Sequence, residues 1–282
     1  AISALSGLPC ERATKRPIAV MLASDPEARP LSALGQADMV FEMPVTPGGI
    51  TRMMAVFQCN TPKEIGSIRS AREDFIPLAQ GLDAILVHWG GEKIALDALN
   101  RGVIDNIDAL KYEGTTFYRK SSIPKPHNGF TSSELLARRI DLFGYRATTS
   151  LDPYLHQTAP MDRNLGSLAT TIDMPWAQGM DVRFTYDTPS NAYLRTRGGT
   201  PEYDAVTKAQ VRASAVVLMK TTALFQSDQY IRVNTVGSGT ATIWQDGRRI
   251  AGLWKKERAT ATLQFTDSKG APIAFEPGTL WI

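Results

Sequence analysis

"LDAILVHWGGEKIALDALNRG", residues 82–102, decides how the first half of this chain folds. "AILVH" is a short, nearly continuous apolar run of the kind that forms a strand buried on both faces. After Gly90-Gly91 the pattern changes to that of an amphipathic helix, closed by Gly102. A strand that turns through glycines into a helix favours a layered α/β domain.

Working outward, "RPIAVMLAS", "ADMVFEMPV" and "ITRMMAVFQ" read as three further strands. The last two form a hairpin through Pro47-Gly48-Gly49. "SAREDFIPLAQG" reads as a helix with a Ser70–Glu73 capping box and a Gly81 stop, kinked or shortened by Pro77. A second capping box, Thr131–Glu134, opens a helix whose apolar side is Leu135, Leu136 and Ile140. Residues 151–180 are polar and proline-punctuated, as a linker is. From Val182 the chain becomes a series of short strands, with Asp246-Gly247 as a two-residue hairpin turn and Asp267–Gly270 as another turn. The expected fold is an α/β (α+β) N-terminal domain over residues 1–150, with a mixed sheet and flanking helices. A smaller, mostly-β C-terminal domain, a sandwich or barrel, follows over 181–282.

Composition narrows the function classes. The 43% hydrophobic and 21% charged content is that of an ordinary globular chain of 282 residues. A net charge of +3 supplies no bulk-charge basis for nucleic-acid binding, and no apolar run approaches bilayer-spanning length. Cys10 and Cys59 are too few for a disulfide scaffold and lack metal-ligand spacing. A single bridge between them would imply an oxidising compartment. The chain starts at Ala1 rather than Met, as expected after removal of a signal or anchor segment. No nucleophile-elbow, Walker, dinucleotide or zinc-protease motif is present, and neither cofactor nor metal is expected.

Several polar groups remain. Arg69 and Arg72 flank the start of the capped helix, where two guanidiniums could grip a carboxylate or phosphate. The bland alternative is an ion-pair network with Glu73, Asp74 or Asp83. His88 ends its strand at the Gly90-Gly91 turn, and the carboxyl ends of strands are where open α/β sheets bind ligands. His127-Asn128 precedes a helix start in the same way, although a local Asx turn would explain Asn128 as well. If these stretches converge, they form one pocket. Its ligand-binding set is Arg52, Arg69, Ser70, Arg72, His88, Gly90, Gly91, His127 and Asn128, with Ser70 serving also as a cap. Asp38 and Glu42 share a strand face but lie roughly 13 Å apart, too far for the about 5–9.5 Å of a glycosidase pair. A structural pair of Glu42 with Arg52 is the default. Glu42, His88 and His127 are the candidates for acid or base catalysis.

"RPIAVMLASDPEARPLSALGQADMVFE", "GGITRMMAVFQ", "IGSIRSAREDF", "VHWGG", "PHNGFTS" and "GSGTATIWQDGRRIAGLWKK", in this order, resemble the YerB-like family of bacterial cell-envelope lipoproteins. The resemblance spans residues from about Ser6 to Ile282 and implies two domains of unknown function. Matching positions are Arg29, Asp38, Glu42, Arg52, Arg69, Ser70, Arg72, His88, Gly90, Gly91, His127, Asn128, Trp254 and Lys255. The chain departs from its relatives at Ala23-Ser24-Asp25 and at Glu92. The implied location is extracytoplasmic, with contact to a membrane only through a removed N-terminal anchor. Two functions follow as expectations. One is a binder of an anionic envelope ligand, a peptidoglycan fragment or a cell-wall-synthesis protein. The other is a cell-wall hydrolase or lytic enzyme that uses Glu42 or a histidine as general acid or base.

Overall fold

The computed structural model describes residues 1–149, 151–159, 166–176 and 179–282. Its centre is an eleven-stranded mixed sheet. Ten strands run in the order Gln264–Asp267, Arg248–Lys256, Gly237–Gln245, Ala215–Met219, Leu280–Trp281, Met39–Pro44, Thr51–Phe57, Ile18–Ala23, Ile85–His88, Asn106–Asp108, and Ser167–Leu168 joins the edge of Arg248–Lys256. Four of these come from the expected α/β region with helices on their faces, and the β-rich remainder follows the C-terminal half. One more, Asn106–Asp108, is only three residues long and carries no strand pattern in the sequence.

The middle strands are apolar on both sides because both faces are covered. All six residues of Ile18–Ala23 and all seven of Thr51–Phe57 are buried. With period-two alternation, Met21, Met39, Phe41 and Met54 face one core, together with the helices Ile76–Gly81 and Lys93–Asn100. Val20, Leu22, Val40 and Met53 face the other, which also holds Leu136 and Ile140 of the helix Ser133–Phe143. A smaller antiparallel sheet, built on Thr171–Met174, Val182–Asp187 and Ala192–Arg197, packs into this second core. Phe184 of that sheet meets Trp281 edge-on at 5.6 Å.

Leu280–Trp281 therefore has a special place. It runs parallel to Met39–Pro44 on one side and to Ala215–Met219 on the other, so the last strand splices the two halves into one sheet. Among the described residues the C-terminal strands therefore form no sandwich or barrel separate from the large sheet. The expected linker also needs revision, since Thr171–Met174 is a strand; residues 160–165, 177 and 178 of that stretch lie outside the described residues.

The turn chemistry follows the sequence closely. The 39–44/51–57 hairpin forms, and Asp246-Gly247 adopts positive φ at both residues, +54° and +67°, as a type I′ turn requires. The capping boxes do not. Ser132, one residue later than expected, caps Ser133–Phe143 by accepting the Leu135 N–H at 3.2 Å, while Thr131 donates to the Thr116 carbonyl. Ser70 caps nothing: the segment 73–75 is a 3₁₀ turn with Arg72 at its start, and the helix begins at Ile76. Pro77 sits in that first turn, where its missing N–H is harmless, so it starts the helix rather than kinking it. Cys10 and Cys59 are bridged, tying the N-terminal segment to the end of Thr51–Phe57.

Trp281 is 2% exposed and packs against both Phe184, edge-on, and the Arg195 guanidinium, 4.3 Å from its ring. Trp281→Ala should lower unfolding free energy by about 3–5 kcal/mol. Because that ring joins both halves, calorimetry should show one shifted transition. Two separated transitions would contradict the shared sheet.

Candidate functional site

The carboxyl ends of Ile18–Ala23 and Ile85–His88 do not face open solvent. The stretch 68–71 is laid across them: Arg69 N–H donates to the Met21 carbonyl at 2.8 Å, Trp89 N–H to Arg69 at 3.0 Å, and Ala71 N–H to Gly90 at 2.9 Å. Arg52, opening its strand, pairs in register with Ala23 at the same end. Backbone pairing thus gathers Arg52, Arg69 and Arg72 into one cluster.

The cluster is rich in positive charge and poor in partners. Arg52 is 4% exposed and has one side-chain bond, Nη1 to the Ser70 carbonyl at 3.3 Å. Arg69 Nε stands 3.8 Å from Asp25 Oδ2, and Arg72 Nη1 stands 3.8 Å from Glu92 Oε2. Those separations exceed a hydrogen bond. The Arg72 guanidinium also lies over the Tyr230 ring at 4.5 Å. The Nε atoms of all three arginines, and Asp25 Oδ2, are buried without a hydrogen-bond partner among the described residues. Burial, then the charges of Arg69 and Arg72, push the Arg52 guanidinium down to about 9.

Glu42 belongs to a different cluster. Its carboxylate accepts from Thr51 Oγ1 at 2.7 Å and Arg195 Nη2 at 2.5 Å, and also pairs with Arg197. Glu202 binds Arg195 from the other side and lies 3.6 Å from Arg197. Two carboxylates and two guanidiniums are therefore buried together as a neutral set. Burial alone would raise the Glu42 carboxyl, but Arg197 and Arg195 override it and hold it at about 2. The expected Glu42–Arg52 pair is not made. Arg195 and Arg197 were missed, although their two-residue spacing in "NAYLRTR" puts both on the buried side shared with Tyr193.

Comparison with known proteins agrees with this architecture. Residues 5–146 match the family model described as the N-terminal domain of a protein of unknown function (DUF3048), and residues 172–282 match its C-terminal domain. The chain belongs to that family. It is 30% identical over 282 residues to the putative lipoprotein YerB of Bacillus subtilis (strain 168), covering 99% of this chain and 84% of that protein. The crystal structure of YerB from Bacillus subtilis superposes with a TM-score of 0.89 at 29% identity, covering 100% of this chain and 95% of that one.

Of the family positions named from the sequence, the arginines are brought together and the histidines are not. His88 is fully buried, with Nδ1 on the Gly90 carbonyl at 2.8 Å and Nε2 on Asn106 Oδ1 at 3.2 Å. Both ring nitrogens are used to hold the turn, so His88 has none to offer a ligand. A Cβ on Gly91 would sit 3.1 Å from the Ala71 carbonyl, so that glycine admits a neighbouring strand rather than a ligand. Trp89 caps a local cluster, 5.9 Å from Phe117 and beneath the Arg119 guanidinium at 4.2 Å. Asn128 accepts from Arg119 Nη1 at 2.8 Å and supports the small Tyr118–Arg119/Gly129–Thr131 hairpin, which is not the expected Asx turn. His127 is half-buried, with Nδ1 lacking a partner. No hydrogen bond or ion pair among the described residues links His127 or Asn128 to His88 or to the three arginines.

The other matching positions are structural. Asp38 is buried and accepts the Gln58 and Cys59 N–H groups, at 2.7 and 3.0 Å. Trp254 is in the core, with its Nε1 on the Lys220 carbonyl at 3.0 Å, and Lys255 pairs on the surface with Glu257 at 2.7 Å. Arg29 donates to the Ser24 carbonyl at 2.7 Å beside the Glu42 cluster. No grouping of His, Cys, Asp and Glu among the described residues could hold a metal ion.

Glu42→Gln removes one charge from a balanced buried set and should destabilise the protein by about 3–5 kcal/mol. The wild-type carboxyl titrates near 2 when folded and near 4.5 when unfolded. Its contribution is therefore complete above about 4.5 and is lost as pH falls toward 2. Urea melts from pH 7 to pH 3 should show the Gln variant losing less stability over that range than wild type.

Proposed function

We propose that this protein binds an anionic group, carboxylate or phosphate, between Arg52, Arg69 and Arg72. The carrying observation is that three guanidiniums gather where no carboxylate reaches bonding distance: Asp25 and Glu92 stand 3.8 Å from Arg69 and Arg72, whereas Arg195 and Arg197, whose Nε atoms also lack partners, bond Glu42 directly. Buried polar groups normally find partners, and three like charges repel one another unless an anion joins them. A bidentate acceptor among them would satisfy Nε and Nη donors together. Asp25 Oδ2, also unsatisfied, favours a ligand that carries a donor next to its anion, as peptidoglycan stem peptides do.

The binding reading stands above the hydrolase one. Glu42 stays ionised to about pH 2 inside its ion-pair set, so it has no proton to give near neutrality. His88 is occupied on both nitrogens. His127 is the remaining candidate for acid or base, and it stands without a bonded partner to orient it.

The relative's description as a putative lipoprotein supports an extracytoplasmic place for this chain, tethered through an N-terminal lipid anchor. The Cys10–Cys59 bridge fits such an oxidising location. No helix among the described residues is long and apolar enough to cross a membrane. The partner on this reading is peptidoglycan or a cell-wall-synthesis protein.

Sedimented peptidoglycan, with mass spectrometry of the soluble products, tests the proposal. Wild type should pellet with the wall and release no new fragments, and Arg69→Ala should weaken binding about tenfold or more. New fragments that disappear in His127→Ala would establish an enzyme instead. A bound anion raises the Arg52 guanidinium from its depressed value of about 9, so binding is coupled to proton uptake. Affinity should be flat up to about pH 8.5 and fall as pH rises through 9. Isothermal titration with a soluble stem peptide across that range checks it.

A further inference from the structure

A two-stranded ribbon, Ala223–Phe225 with Ile231–Val233, meets the 3₁₀ turn 73–75 around a cavity of about 240 Å³. Asp74 fastens the two together. Its Oδ2 accepts the Val233 N–H at 2.8 Å, and its backbone carbonyl accepts from Thr235 Oγ1 at 2.9 Å. Asp74 lines the cavity and is 5% exposed, yet its Oδ1 has no hydrogen-bond partner among the described residues. A buried carboxyl oxygen with nothing bonded to it is costly whether the group is charged or protonated.

The charges around Asp74 do not balance. Glu73 shares the cavity wall, and Glu92 accepts the Glu73 N–H at 2.8 Å. Against these three carboxylates stand two cations, Arg232 at 3.5 Å from Glu73 and Arg72 at 3.8 Å from Glu92. Neither bonds Asp74 Oδ1, and one negative charge is left over. Burial, with Glu73 and Glu92 adding to it against the Val233 N–H and Arg232, pushes the Asp74 carboxyl up to about 7.

We propose that this cavity binds a primary alkylammonium group, of the kind a lysine side chain carries, with its nitrogen on Asp74 Oδ1. The site is separate from the arginine cluster and holds whether or not that cluster binds an anion. An ammonium brings the one positive charge that is missing and up to three N–H donors. Its methylene stem matches the apolar part of the wall, Pro77, Leu224, Val233 and Val236, of which Leu224 is 64% exposed. A guanidinium fits less well, because its fork wants both carboxylate oxygens and Val233 already holds one. A metal ion fits less well again, since only two carboxylates, Glu73 and Asp74, line the cavity.

The probe is Nα-acetyl-lysine-N-methylamide, titrated into the isotope-labelled protein with the Val233 amide resonance as reporter, because that N–H is bonded to Asp74. A saturable shift with a Kd of about 10 mM or tighter is expected. The norleucine analogue, which keeps the stem and lacks the ammonium, should give none, and the arginine analogue should bind about tenfold more weakly. Asp74→Asn keeps an acceptor for Val233, so the fold should persist while lysine binding weakens about tenfold or more. Binding expels the proton that Asp74 otherwise holds, so wild-type affinity should be about tenfold higher at pH 8 than at pH 6, and flat in the Asn variant. n-Butylammonium distinguishes the source: tighter binding of the lysine derivative supports a polypeptide-borne amine, and equal binding supports a free one. The proposal is overturned by no saturable shift at Val233, by an equal response to the norleucine analogue, or by undiminished binding to Asp74→Asn.

Discussion

A carboxylate buried as deeply as Glu42 stays charged only because two guanidiniums are delivered to it from far along the chain. Arg195 and Arg197 lie on a strand of the smaller sheet, and Glu42 lies on a strand of the large one. The four-charge set with Glu202 therefore works only when both sheets are correctly placed. It is a poor source of stability compared with an apolar replacement, because the desolvation of each ion is large. It is a strong source of specificity, since any slip of either strand by one residue would leave bare charge in the core. Trp281 lies against Arg195 and couples the terminal strand to the same set.

The arginine cluster contrasts with that arrangement. Around Glu42 the charges balance and the hydrogen bonds are short. Around Arg52 they do neither: three cations meet two carboxylates at 3.8 Å, and their Nε atoms stay unsatisfied. Arg195 Nε and Arg197 Nε also lack partners among the described residues, so the difference lies in the carboxylates: Glu42 bonds its arginines directly, whereas Asp25 and Glu92 stop short of theirs. A set that stops short persists when the rest of the fold overdetermines it, and here the backbone bonds of Arg69 and Ala71 to the neighbouring strands do so.

Reading the chain alone recovers what local chemistry dictates and misses what distant chemistry dictates. The hairpin at Pro47-Gly48-Gly49, the Asp246-Gly247 turn and the helix ending at Gly102 depend on neighbours in sequence, and all form. Arg69 and Arg72 were identifiable as a pair, and Arg52 belongs with them. Their setting is a 3₁₀ turn over 73–75, however, and the regular helix begins only at Ile76. His88 was misleading because a strand-end histidine beside glycines looks the same whether it serves a ligand or the turn. The partner of Glu42 was invisible for a plainer reason. Arg52 is nearby in sequence and Arg195 is not, while Leu280–Trp281 is too short to announce itself as the strand that unites the sheet.

That late strand has a consequence for the order in which the molecule is made. Val40 cannot acquire its neighbour until Trp281 has been synthesised, so most of the chain must wait with a long apolar strand edge unpaired. Pairings between such remote segments are slow to form, and exposed edges invite association with other chains. Until then the edge of Met39–Pro44 stands open to any other strand, and the two halves of the sheet have nothing to hold them in register.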